Sequence, residues 1–121
     1  MESGKSRKRT NYGSPKFTVM EEILISDLWK EHIAAPFPNG FRAKDVNGID
    51  FVMLDADVAG CVDTFLSRGN LNLYQTAVLG LSYRNLSSVI RILNDEGREY
   101  FGRLEHLAEL VLKSVAIKNK K

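Results

Sequence analysis

The chain has a single cysteine, Cys61, so no internal disulfide can form. That fits a reducing compartment. It has no apolar run near the ~20 residues that a membrane span needs. The longest obvious stretch, Ile49 to Leu54, is interrupted by Asp50. The basic start is not followed by the apolar segment of a secretory signal. Polar turn material follows instead, Thr10-Asn11-Tyr12-Gly13-Ser14-Pro15. The expectation is a soluble intracellular protein, placed in the cytoplasm, with the basic N-terminus open to reading as a nuclear or organellar address.

Chemistry-bearing patterns are also scarce. Metal sites on helical bundles use Glu-x-x-His pairs, but Trp29 stands three residues before His32 and Arg103 three before His106. Glu109, three residues after His106, offers only an ion pair on one helix face. There is no Gly-rich phosphate loop, no Gly-x-Ser-x-Gly elbow and no His-Glu-x-x-His. Asp55-x-Asp57-x-x-Gly60 begins like a calcium loop, but Ala59 and Leu66 stand where the fifth and twelfth positions need oxygen ligands. The aspartates from Asp45 to Asp63 therefore read as caps and a solvated acidic face. A metal-dependent enzyme built on them is the weakest of three functional readings. Cys61 falls between Val58 and Phe65 on an apolar helix face and reads as a small core residue. No catalytic residue, metal ligand or cofactor is expected.

What is present is helical periodicity. At 121 residues, with 44% apolar and 26% charged side chains, the chain suits one domain with one core. Thr18-Val19-Met20-Glu21 has capping-box spacing. Behind it Met20, Leu24 and Leu28 recur every four residues, and Ile25, Trp29 and Ile33 do so one step over. Pro36 and Pro38 end that helix. A second helix is expected from Asp55, with Asp55 and Asp57 in its first turn and Gly69 as its left-handed cap. A third, Leu73 to Leu93, opens on the cap signal Asn72 with Gln75. Asn94-Asp95-Glu96-Gly97 restarts the last helix. Phe41 to Leu54 stays open between a short strand and a lead-in to helix, with a turn signal at Asn47-Gly48. Gly60, Gly80, Gly97 and Gly102 fall in or near helices, where they mark close approach or displaced boundaries.

The predicted fold is all-α, a small bundle of about four amphipathic helices. A disordered basic arm covers residues 1–16, the helical domain 17–117, and a basic tail 118–121. An irregular or short extended segment precedes the second helix.

The net charge of +2 conceals an uneven layout. Residues 1–16 hold Lys5, Arg7, Lys8, Arg9 and Lys16 against Glu2, a net +4, and residues 118–121 add +3, so residues 17–117 are net −5. An acidic body argues against a broad nucleic-acid surface. Lys5, Arg7, Lys8 and Arg9 are the candidate phosphate-binding residues, and a nucleic-acid-associated protein held by its basic arms is the second reading. From Thr64 to Asn94 there is no acid, and Arg84 and Arg91 stand seven apart. That stripe is a candidate site for an acidic partner or phosphates, or a pairing surface for the Asp45–Asp63 segment. Leu110, Leu112 and Ile117 broaden the apolar face of the last helix beyond one stripe. Exposed together, they would make a patch for another protein or a second copy. The leading reading is a non-enzymatic helical interaction or regulatory module.

Overall fold

The computed structural model describes residues 14–42 and 44–118. Four helices pack together, as the periodicity predicts, with a short hairpin before the second. The elements are α1 (Ser14–Ala34), β1 (Asp45–Val46), β2 (Ile49–Asp50), α2 (Phe51–Arg68), α3 (Leu73–Val89), a 3-10 turn (Ile90–Ile92) and α4 (Asp95–Lys118). The expected basic arm lies outside the described residues as far as residue 13, and residues 14–16 belong to α1. Of the expected tail, residues 119–121 lie outside as well.

The hairpin sets where α2 begins. Asn47 (φ 54°) and Gly48 (φ 79°) are both left-handed, the geometry of a two-residue turn that matches strand twist. Asp45 steadies it by accepting from the Gly48 N–H at 3.2 Å. The pairing of Val46 with Ile49 and Asp45 with Asp50 delivers Asp50 in extended backbone. Its carboxylate accepts from the N–H groups of Val52 (2.9 Å) and Met53 (3.1 Å). So Asp50, not Asp55, caps α2. The helix starts one turn earlier than the acids at 55 and 57 suggest. That frees the Asp55 side chain for a different partner.

Other boundaries are local and match expectation. Gly69 closes α2 at φ 84°, its N–H bonding the Phe65 carbonyl at 2.7 Å. Asn72 and Gln75 form a reciprocal capping box on α3. α3 ends at Val89, earlier than Leu93, because the chain tightens into the 3-10 turn. The carbonyls stranded there are taken by Arg98, whose guanidinium donates to Leu93 (3.0 Å), Arg91 (3.3 Å) and Ile90 (3.5 Å). Asn94 starts α4 by accepting from the Gly97 N–H at 2.8 Å.

α4 is the hub of the packing, in contact with α1, α2 and α3. At its N-terminal end Phe101 meets Phe51 (5.0 Å between centroids), Phe41 (5.5 Å) and Phe37 (5.9 Å). Phe37 and Phe41 come from the α1–β1 connection, whose rings are thus core. α1 differs from the expected stripe. It is already helical at Thr18 and Glu21, so these form no capping box. The face turned inward is Glu21, Ile25 and His32, with Leu28 and Trp29 beside them. Met20, Leu24 and Ile33 face outward. The rotation has a polar cause, since Glu21 accepts from the buried Ser114 hydroxyl of α4 (3.3 Å) and His32 reaches Asp55 of α2 (3.0 Å).

Of the four helix-associated glycines, one marks a close approach. A Cβ at Gly97 would lie 2.4 Å from the Phe41 ring, which Phe51 and Phe101 hold in place. A Cβ at Gly60 or Gly80 would meet no atom of the described residues within 4 Å beyond its own helix backbone and chain neighbours, and one at Gly102 would lie 3.8 Å from Ile90. Gly97→Ala is expected to destabilise the fold by about 1–3 kcal/mol through overpacking. Gly60→Ala, in open helix, should stabilise it by up to about 1 kcal/mol. Urea denaturation of the two variants checks the pair. Equal and like-signed changes would mean that Phe41 is not wedged against α4.

Candidate interaction surfaces and the buried His32 cluster

The residues expected to form a partner patch on the last helix are not exposed together. Leu110 is 7% exposed and part of the core, Leu112 packs against that core, and Ile117 is half-buried. Arg84 and Arg91 are both exposed, but Arg91 sits in the 3-10 turn beyond the end of α3. Their seven-residue spacing therefore does not run along one α-helix. Among the described residues no ion pair joins either arginine to the Asp45–Asp63 segment. Lys5, Arg7, Lys8 and Arg9 lie outside the described residues. Glu109 pairs with Lys113 at 3.5 Å, while His106 is exposed.

The aspartates go to separate tasks. Asp45 holds the turn, Asp50 caps α2, Asp57 and Asp63 are exposed, and Asp55 turns inward. Among the described residues no three His, Cys, Asp or Glu side chains are grouped as metal ligands. The Cys61 thiol is buried and lies 3.5 Å from the Gln75 carbonyl. Burial, then the nearby Asp57 carboxylate, push it above the usual thiol range. Both disfavour the thiolate that nucleophilic chemistry requires.

Asp55 forms the densest polar cluster. One oxygen accepts from His32 Nε2 of α1 and the other from the Tyr100 hydroxyl of α4, each at 3.0 Å. The His32 and Tyr100 ring centroids lie 4.5 Å apart, and the Trp29 ring stacks near the imidazole at 6.1 Å. The Arg103 guanidinium sits 5.9 Å from the Tyr100 ring and 3.8 Å from Glu31. An Asp–His–Tyr arrangement has the residue types of a proton relay, but this one is closed. His32 is 4% exposed, and its Nδ1 and the Nε of Arg103 are shut off from solvent, with no hydrogen-bond partner among the described residues. The adjoining cleft of about 340 Å³ is lined by Tyr100 and Arg103 together with Glu31, Glu96, Glu99 and two prolines, but it reaches neither the imidazole nor Asp55. The cluster's evident work is to tie α1, α2 and α4 together. Sequence reading did not find it, because 23 and 45 residues separate Asp55 from its partners.

Apolar side chains are exposed together in two places among the described residues. On α1, Val19, Met20, Ile23 and Leu24 are 42–63% exposed and adjacent along one face. Between α2 and α3 runs a groove of two joined hollows, about 310 and 300 Å³, that share Asp57 and Val78. Leu54, Cys61 and Ser82 form its buried floor, and Met53, Tyr74 and Leu81 stand exposed along it. No helix of the described residues is long and apolar enough to cross a membrane. The chain matches no family model, no curated protein and no solved structure.

Asp55→Ala would leave the Tyr100 hydroxyl and the His32 N–H without an acceptor, at an expected cost of about 2–4 kcal/mol. Burial, then the charge of Asp55, then its hydrogen bond raise the Tyr100 phenol well above its ordinary value of 10, against a smaller opposite pull from Arg103 and Arg42. The folded state thus keeps a proton that the unfolded chain loses. This contribution is complete below pH 10 and is lost as pH rises above it. Denaturation between pH 9 and pH 12 should show stability falling less steeply in Tyr100→Phe than in the parent. Parallel curves would show that Tyr100 does not ionise differently in the two states.

Proposed function

We propose that the protein is a non-enzymatic helical module that binds another protein, or a second copy of itself, through the outer face of α1. The observation that carries this reading is the inverted use of that helix. Two polar side chains, Glu21 and His32, are buried alongside Ile25, while four apolar ones, Val19, Met20, Ile23 and Leu24, remain outside. A helix positioned only by its own hydrophobic burial would do the opposite. Clustered exposed apolar side chains on a small protein mark a contact surface, and an amphipathic helix is a common form for one. The closed His32 cluster and the raised Cys61 thiol give no competing support to catalysis.

The test is affinity capture from native cell extract, with nuclease, comparing the parent with Met20→Glu/Ile23→Glu. Both side chains are exposed, so the melting temperature should shift by no more than about 2–4 °C. A stoichiometric protein, or the chain itself by sedimentation, should associate with the parent and be lost from the variant. The same partners on both proteins would remove α1 as the docking face. Recovery only of material that nuclease releases would instead favour nucleic acid held by the basic terminal residues.

A further inference from the structure

We propose that the groove between α2 and α3 docks an amphipathic helix of a partner protein that carries Lys or Arg along one flank. This rests on the reading of the protein as an interaction module but uses a different face. Along α2 the groove runs from Asp50 to Thr64, about 21 Å at the helical rise, or roughly four turns of an occupant. Among the described residues its lining comes from the hairpin, α2 and α3, with none from α1 or α4. Met53 and Leu81 flank one half and Tyr74 the other, and in the Tyr74 half Gly60 leaves unfilled space. That is a groove for apolar anchors spaced three and four residues apart.

Charge selects the occupant. From Asp45 to Ser67 the chain holds five aspartates and no Lys or Arg. Asp55 turns inward; of the other four, all exposed, Asp50 (the cap of α2) and Asp57 line the groove, while Asp45 and Asp63 stand outside its lining. The opposite wall, Tyr74, Gln75, Val78, Leu81 and Asn85, carries no charge; Arg84 is exposed on α3 but does not line the groove. A partner helix is therefore steered with its cationic flank toward α2. The chain's own candidates fit poorly. The outer face of α1 in a second copy brings Asp27 and Glu31 with Lys30, more acid against an acidic wall. The basic run at the N-terminus has no apolar side chain between Glu2 and Asn11 to reach the floor.

The experiment selects from a displayed library of helical peptides of about 16 residues. Apolar anchors stand at i, i+4, i+7 and i+11, and each flank position is either Lys or Glu. The full-length protein is the bait, and selected peptides are then measured by fluorescence anisotropy. Lys should be enriched on one flank. Gly60→Leu, which fills the groove, and Asp57→Lys, which reverses its charge, should each weaken binding by about tenfold or more. Circular dichroism confirms that both variants are folded, and Met20→Glu/Ile23→Glu should bind the peptides like the parent. Three results overturn the proposal. The first is no enrichment, or equal binding by the parent and Gly60→Leu. The second is a concentration-dependent dimer of the parent that Gly60→Leu abolishes, which places a second copy in the groove. The third is peptide binding that appears only after residues 1–16 are deleted, which places the chain's own N-terminus there. None of these touches the α1 capture result, so the two readings fail separately.

Discussion

Every helix of this fold packs against α4, and the demands on the other three follow from that. A helix with neighbours on three sides cannot keep one narrow apolar stripe. α4 accordingly buries Tyr100, Phe101, Leu104, Leu107, Ala108, Leu110, Val111 and Val115, with Ser114 among them. On the sequence alone, the extra apolar residues at 110 and 112 look like surface in want of a partner. Their partners are inside the molecule. Surplus apolar surface lies elsewhere, on α3 at Leu73, Tyr74 and Leu81 and on α1, which packs mainly on α4 and only lightly on α2.

The price of a peripheral α1 is orientation, because a helix that packs on one neighbour can roll about its axis. Two polar contacts remove that freedom. Glu21 meets Ser114 toward one end, and His32 meets Asp55 toward the other. Buried polar pairs of this kind add little net stability, since desolvation offsets most of the attraction. Breaking one leaves a buried group unpaired, which is costly. Their value is that a rolled α1, with Ile23 or Leu24 inward, would strand Glu21 and His32 away from their partners. The polar contacts thus fix one roll of the helix, with Ile25, Leu28 and Trp29 inward and Val19, Met20, Ile23 and Leu24 outward.

Features that depend on a few consecutive residues were legible in the sequence. The Gly69 cap, the Asn72–Gln75 box and the restart at Asn94 each involve groups within four residues of one another, so their chemistry is written locally. The start of α2 was not, although Asn47-Gly48 was visible as a turn. Asp50 becomes the cap only when the hairpin has folded, and without that the acids at 55 and 57 are equally good caps on paper. The inward face of α1 was unreadable for a related reason. Hydrophobic periodicity assumes that burial is decided by apolar area, and here Ser114 and Asp55, distant in sequence, decide it. The same distance concealed the Asp55 cluster, and the packing of Phe41 rests on Gly97 leaving room for its ring.

The charge layout gives these surfaces a common logic. An acidic body and cationic ends in one chain attract each other, both within a molecule and between molecules. Attraction of that kind is weak and screened by salt unless apolar contact accompanies it. The α2–α3 groove separates the two requirements. Its two lining aspartates, Asp50 and Asp57, draw any cationic segment, including the chain's own, but Leu54 and Cys61 on its floor, with Met53, Val78 and Leu81 along its walls, reward only a segment with apolar anchors. The run from Lys5 to Arg9 meets the first condition and fails the second. The α1 face meets the second and, with Asp27 and Glu31 on it, fails the first. A groove that both of the chain's own surfaces fit badly is one that can stay vacant until a different protein supplies basic charge and apolar side chains on the same helix.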